Sequence, residues 1–277
     1  MWDKIITSKK QFYDLNLGEL VEYRDLLYML VKRDIITVYK QTIFGPIWFV
    51  IQPLLTMLVY IVVFTNIADI PTDEIPPALF YLSGIIMWNF FSDCFNQTSD
   101  TFYENASLYG KVYFPRVIIP VSKIVSVLIK FAVQFLLFLF IYGYLLISSD
   151  LIKPNIFIML LPVLLVIMAM LSLGMGLFFT SVTAKYRDLK FVITYAVQLL
   201  MFATPVIYPV SLLSEKYQTI MYFNPLSHVM ESFKYGFLGK GELSMEGLMY
   251  AALFSFVTLI VGVIAFNRTE KNFMDTI

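Results

Sequence analysis

The chain is dominated by apolar runs long enough to cross a lipid bilayer. A spanning helix takes roughly 20 mostly apolar residues. Six stretches come near that length: 43–66, 78–98, 117–147, 155–181, 190–208 and 246–266. A water-soluble core of 277 residues could not absorb them, since 59% of the residues are hydrophobic and only 14% charged, against about 25% charged in soluble domains. The expectation is an all-α integral membrane protein with six transmembrane helices. The first 42 residues are mixed and charged, without a signal-peptide pattern, so the spans themselves direct insertion. The third run is long enough to tilt or to project beyond the bilayer. Pro53, Pro162 and Pro205 fall inside runs, which membrane helices tolerate when neighbours re-satisfy the backbone.

Lys and Arg in the connections set the orientation. With the N-terminus inside, residues 1–42, 99–116, 182–189 and 267–277 carry most of the bases, whereas the outer loop "DIPTDEIPP" (69–77) has acids and no base. Both termini are therefore expected in the cytoplasm of a bacterial cell. Residues 1–42 form a cytoplasmic N-terminus and 43–277 the transmembrane domain. Within the former, 25–42 alternates an apolar stripe (Leu27, Val31, Ile35, Val38) with Arg33, Thr37, Lys40 and Gln41 opposite. This is an amphipathic helix for the membrane interface, or a soluble helix packed on a partner. Residues 209–245 are broken by Pro209, Asn224–Pro225 and Gly239 into pieces too short to span. They read as a re-entrant or interfacial outer hairpin, with two further short spans as the alternative. Asn224 as N-cap and Pro225 at the first helical position make a good helix start.

Several chemistries are excluded. The formal net charge is zero, which gives no electrostatic footprint for nucleic acid. The single cysteine, Cys94, cannot form an internal disulfide, and one histidine without metal-ligand spacing argues against a metal centre. "GFLGKGE" (236–242) lacks P-loop spacing, so the chain has no ATP-hydrolysing loop of that kind. His228 and Glu231, three apart, are the nearest thing to an acid–base pair and read as a local structural contact. No catalytic residue is expected.

Polar residues inside spans face a cavity, a partner or a path. In the second span Asn89, Asp93, Asn96 and Asp100 share one face. In the third, Lys123 and Lys130 do so with Gln134. Lys130 sits about 10 Å deeper than Lys123, and an Asp93–Lys130 ion pair is one solution, either as glue between helices or on a path. Lys123 either snorkels or faces that path. Trp48, Gln52, Thr56 and Tyr60 in the first span, with Tyr195, Gln198 and Phe202 in the fifth, present polar and aromatic faces able to line a conduit. Taken singly they are ordinary packing and interface anchors. Ser172, Gly176 and Thr180, with Gly174 nearby, mark close helix packing in the fourth span.

The stretches "TIFGPIWFVIQPLLTMLVYIVVF", "YGKVYFPRVIIPVSKIVS", "YRDLKFVITYAVQLLMFATPVIYP" and "NPLSHVMESFKYGFLG" resemble the permease subunits of ABC-2 type exporters of O-antigen, capsule and teichoic acid, over about residues 20–266. The resemblance implies a homodimer with a channel lined by the first and fifth spans and two copies of a separate cytoplasmic ATPase, which binds the ATP and Mg. The chain itself would bind no cofactor. A lipid-linked polysaccharide, most specifically O-antigen, would be the cargo. An outer gate would fall at about 209–239, with Tyr208, Asn224, Pro225, His228 and Glu231. A coupling helix would fall at about 99–110, with Asp100, Thr101, Phe102, Tyr103, Glu104 and Asn105, near Arg33. Relatives often carry Arg where this chain has Lys234, so a planar bidentate fork is absent there. From charge alone, Arg33, Lys40, Lys111 and Arg116 are the bases offered to an anionic lipid head group. Two other readings stay open: an ABC-2 exporter of a small lipid or drug, and an integral membrane acyltransferase.

Overall fold

The computed structural model describes residues 21–40, 44–104, 114–148, 151–183, 186 and 188–273. Lys111 and the second half of the 99–110 connection, from Asn105 on, lie outside the described residues, as do the side chains of Val38, Tyr103 and Glu104. Among the described residues the regular structure is helical. An N-terminal helix α1 (Arg24–Lys40) precedes a tight turn at Gly45–Pro46, where Gly45 takes φ 51°. α2 (Trp48–Tyr60) continues as a wider helix through Ile61–Ile67. α3 (Pro77–Ser99), the short α4 (Thr101–Glu104) and the long α5 (Ile118–Ser148) follow. α6 (Leu161–Thr183), α7 (Leu189–Phe202), α8 (Glu215–Tyr222), α9 (Pro225–Leu238) and α10 (Met245–Phe273) complete the chain.

Five of these helical stretches are long and apolar enough to cross a membrane: Gly45–Ile67, Pro77–Ser99, Ile118–Ser148, Ile156–Thr183 and Met245–Thr269. They match five of the six expected runs to within a few residues. The sixth differs. The run at 190–208 forms α7, which stops at Phe202, and the chain from Ala203 to Pro209 is irregular. The cause is local. Proline at 205 has no N–H to donate and disfavours helical geometry at Thr204, so the helix ends before it. Pro162 lies inside the span Ile156–Thr183 as expected, at the second residue of α6, where the chain passes from a tighter turn of helix into the α-helix. Pro53 lies within α2 as expected.

α3 is the most enclosed span, with 78% of its apolar window buried. It packs against α2, α5, α6, α7 and α9. Small residues let its neighbours approach. A Cβ on Gly176 of α6 would stand 2.6 Å from Thr98 Cβ of α3. On another side of α6, a Cβ on Gly174 would stand 2.5 Å from Leu259 N of α10, and one on Gly262 would collide with the Gly174 carbonyl. Ser172 and Thr180 are fully buried. The small-residue face of the fourth span is thus a seat for backbone from both sides.

α1 packs on α5; its Leu30 is buried in a cluster with Phe102, Ile118, Ile119, Leu177, Val263 and Phe266, and Val31 is buried beside it in sequence. Tyr28 and Met29 point away and are exposed.

Valine at Gly174 is expected to destabilise the fold by about 1–3 kcal/mol or more, as overpacking does in a close-packed core. Valine at Gly143, where a Cβ meets nothing within 4 Å, should be nearly neutral. Thermal unfolding in detergent compares the two.

Candidate transport path and gate

A helix end leaves its last carbonyls without partners, and the break after α7 is no exception. Side chains from elsewhere supply the donors. Tyr208 Oη donates to the Phe202 carbonyl at 2.7 Å. Asn224 Nδ2 donates to the Ala203 carbonyl at 2.9 Å and to Thr204 Oγ1 at 3.0 Å. Lys234 Nζ donates to the Pro205 carbonyl at 2.7 Å. Asn224 does this while acting as the N-cap of α9, accepting from Leu226 N at 3.0 Å, with Pro225 at the first helical position as expected. The residues of "NPL" therefore start one helix and finish another.

Lys234 is the centre of this junction. It is buried, pairs with Glu231 at 3.4 Å, and lies 4.3 Å from the centre of the Phe80 ring of α3. Burial pushes its ammonium below the ordinary lysine range, and Glu231 pulls it back up. A lysine fits because one compact charge serves a carbonyl, a carboxylate and a ring face together. His228 and Glu231 do not form the expected i,i+3 contact. His228 Nε2 is bonded to the Tyr222 carbonyl at 2.9 Å, and Glu231 is taken by Lys234. The sequence signal for Lys234 was its place where relatives often carry Arg; its carbonyl partner had none.

The acidic loop before α3 ties this assembly down from the side. Ser211 Oγ donates to Asp73 at 2.8 Å, and Lys240 pairs with Glu74 at 2.8 Å. Asp73 and Glu74 adopt left-handed backbone, φ 51° and 62°. The Lys240 hydrogen bond holds Glu74 below the usual carboxylate range. This tether is complete at neutral pH and is lost as pH falls through that lowered value.

The expected conduit faces are open. Trp48, Gln52, Tyr195, Gln198 and Phe202 are exposed, and Thr56 is half-buried. Trp48 stacks on Phe44 with centroids 6.1 Å apart. Tyr60 is half-buried against Phe64 and Tyr81, and its hydroxyl lies 3.6 Å from Met201 Sδ. α2 and α7 therefore meet at their C-terminal ends.

The expected Asp93–Lys130 pair is present at 2.7 Å. Lys123 has a partner that the sequence did not reveal: Asp34 of α1, at 3.1 Å, which also holds Arg33 at 2.9 Å. Gln134 is buried. Asp100 pairs with Lys190 of α7 at 2.9 Å.

Among the expected coupling residues, Thr101 and Phe102 turn inward. Phe102 stacks on Phe266 at 4.6 Å and its N–H donates to Thr180 Oγ1. Both anchor the connection and are not available to a partner's surface. Arg116, expected as a head-group base, is buried at the entry to α5, whereas Arg33 and Lys40 are exposed.

Removing one partner of a buried ion pair costs about 3–5 kcal/mol because the other charge is stranded. Lys234→Met should therefore lose about that much, and the double change with Glu231→Gln should lose less than the sum of the two single changes. Thermal unfolding of the four proteins in detergent measures the coupling.

The sequence profile of the ABC-2 type transporter family matches residues 25–238. The chain is similar to the O-antigen export system permease protein RfbA of Klebsiella pneumoniae, 26% identical over 265 residues, covering 94% of this chain and 96% of the relative. The Myxococcus xanthus protein of that name is 28% identical, covering 94% and 98%. The polysialic acid transport protein KpsM of Escherichia coli is 26% identical, covering 87% and 92%. The profile match spans most of the fold: the chain belongs to the ABC-2 type transporter family.

Proposed function

We propose that this chain is the permease subunit of an ATP-driven exporter that moves a lipid-linked polysaccharide, O-antigen in the first instance, across the bacterial inner membrane. Two copies form the channel between them. Two copies of a separate cytoplasmic ABC ATPase bind ATP and Mg and drive it. The observation that carries this reading is the pair of open, polar and aromatic faces on α2 and α7 in a chain whose named relatives export polysaccharide. Aromatic rings stack on the C–H faces of sugars and tolerate sliding, because they hold no fixed charge to trap the chain. Capsule polysaccharide is the second reading, since relatives in Escherichia coli and Neisseria meningitidis carry capsule and polysialic acid transport names.

In this reading α7 and the irregular chain after it make a sixth, broken crossing. α8 and α9 form the outer re-entrant gate, and both termini are cytoplasmic. α1 lies at the inner interface, its Tyr28 and Met29 toward lipid and its Leu30 and Val31 on the bundle. Force from the ATPase enters through the connection after α3 and through α1. Arg33 and Lys40, with Lys111, meet the anionic head of the lipid carrier.

Co-purification of this chain with the ATPase encoded beside it, reconstituted in lipid, tests the proposal. A dimer whose ATP hydrolysis is stimulated several-fold by the cognate lipid-linked glycan is expected. A monomer that binds no ATPase would overturn it. Arg33→Gln, Lys40→Gln and Lys111→Gln together should weaken the apparent affinity for the lipid-linked glycan, and an unchanged affinity would remove the head-group role.

A further inference from the structure

α3 inverts the rule for a membrane span. Between Leu79 and Ser99 every apolar residue is buried, and the partly open positions are Asn89, Ser92, Asp93, Asn96 and Gln97. Asp100 extends them by one residue. At 100° per residue these side chains occupy a single arc of the helix, and they run along about 16 Å of it. The open edge of the most enclosed span is wholly polar.

The charges on this strip are neutralised from both sides. Asp93 is paired with Lys130 of α5, whose ammonium lies 5.6 Å from the centre of the Phe49 ring of α2. Asp100 is paired with Lys190 of α7. The strip is therefore bounded by α2 and α5 along one edge and by α7 along the other, and α2 and α7 touch toward their far ends, at Tyr60 and Met201. Its amides are left over. Asn96 Nδ2 donates to Ser92 Oγ at 3.2 Å, while the side-chain amides of Asn89 and Gln97 make no hydrogen bond among the described residues. A primary amide offers two donors and an acceptor, and placing it unpartnered against hydrocarbon costs several kcal/mol. Lipid is the wrong cover for this face.

We infer that the strip Asn89–Ser92–Asp93–Asn96–Gln97 is a hydrogen-bonding track for a neutral, hydroxyl-rich saccharide chain, the floor of a furrow whose walls are α2 and α7. The inference rests on the proposed export function and adds to it a third lining element. The chemistry fits the class. Each carboxylate on the strip is matched by a lysine, so an ion gains no net attraction. Amides and hydroxyls exchange hydrogen bonds with successive sugar hydroxyls or with water at nearly equal energy, so a chain can slide. The exposed aromatic rings of Trp48 and Tyr195 on the walls would stack on the sugars held there.

The chain's one cysteine, Cys94, is buried, so Cys94→Ser supplies a background for labelling single cysteines in the full permease–ATPase complex in membranes. With a charged, membrane-impermeant maleimide, Asn89→Cys, Asn96→Cys and Gln97→Cys are expected to react. Leu136→Cys, on an exposed but apolar face of α5, is expected not to. Added lipid-linked glycan should slow labelling of the strip several-fold. In parallel, Asn89→Leu with Asn96→Leu should lower export by about tenfold, the loss of two ordinary hydrogen bonds, with dimer and ATPase binding intact. If Gln52→Cys and Gln198→Cys react but the strip does not, the track is overturned and the conduit between α2 and α7 stands. If none of them reacts, both readings fall. If the strip reacts, yet glycan gives no protection and the double leucine variant exports normally, the face is wet but is not a saccharide site, and the inference is overturned.

Discussion

Backbone that leaves a helix must find its hydrogen bonds elsewhere, and inside a membrane it must find them within the protein; the rest of this structure is arranged around one such end, that of α7. α7 has 14 residues, a rise of about 21 Å, against about 30 Å of hydrocarbon. In the proposed sixth crossing irregular chain makes up the missing length, and its carbonyls at 202, 203 and 205 are each met by a side chain: Tyr208, Asn224 and Lys234. Two of those donors sit at the start and the middle of α9. α9 cannot shift without stripping donors from the end of α7. The proposed gate and path wall are one hydrogen-bonded unit, fastened at its edge by the acidic loop through Asp73 and Glu74.

The same requirement explains the charges. Lys234 finds its acid on its own helix, but three other lysines find one on a different element: Lys123 on α1, Lys130 on α3, and Lys190 of α7 on the residue that ends α3. A charge with no partner would be costly in this setting. Each of these three pairs therefore also fixes which two helices lie side by side, in a bundle whose apolar surfaces alone discriminate weakly between neighbours.

How much of this was legible in the sequence follows from range. Span positions were, because 20 apolar residues in a row leave few alternatives. The Asp93–Lys130 pair was legible too, since each residue sits on a polar face of a predicted span and adjacent spans tend to pack. The capping of α9 by Asn224 was visible because it is local. The end of α7 at Phe202 was missed even though Pro205 was in plain view: hydropathy alone extends the run to 208, and the proline outweighs it. The partner of Lys123 was invisible, because Asp34 lies 89 residues away in a segment that reads as a separate surface helix. The inward turn of Phe102 was equally hidden, since its contacts are with Thr180 and Phe266, far along the chain.

The ion pair between Asp34 and Lys123 has a mechanical side. α5 has 31 residues, about 46 Å of helix, longer than the hydrocarbon is thick. Lys123 lies near its N-terminal end, and Phe135, Phe138 and Tyr142, further along, pack on Phe237 of α9. A stiff rod is thus gripped by α1 near one end and touches α9 toward the other. In the proposed transport cycle a displacement of α1 would not need to be relayed through a chain of side-chain rearrangements. It would arrive at α9 as the tilt of a single lever.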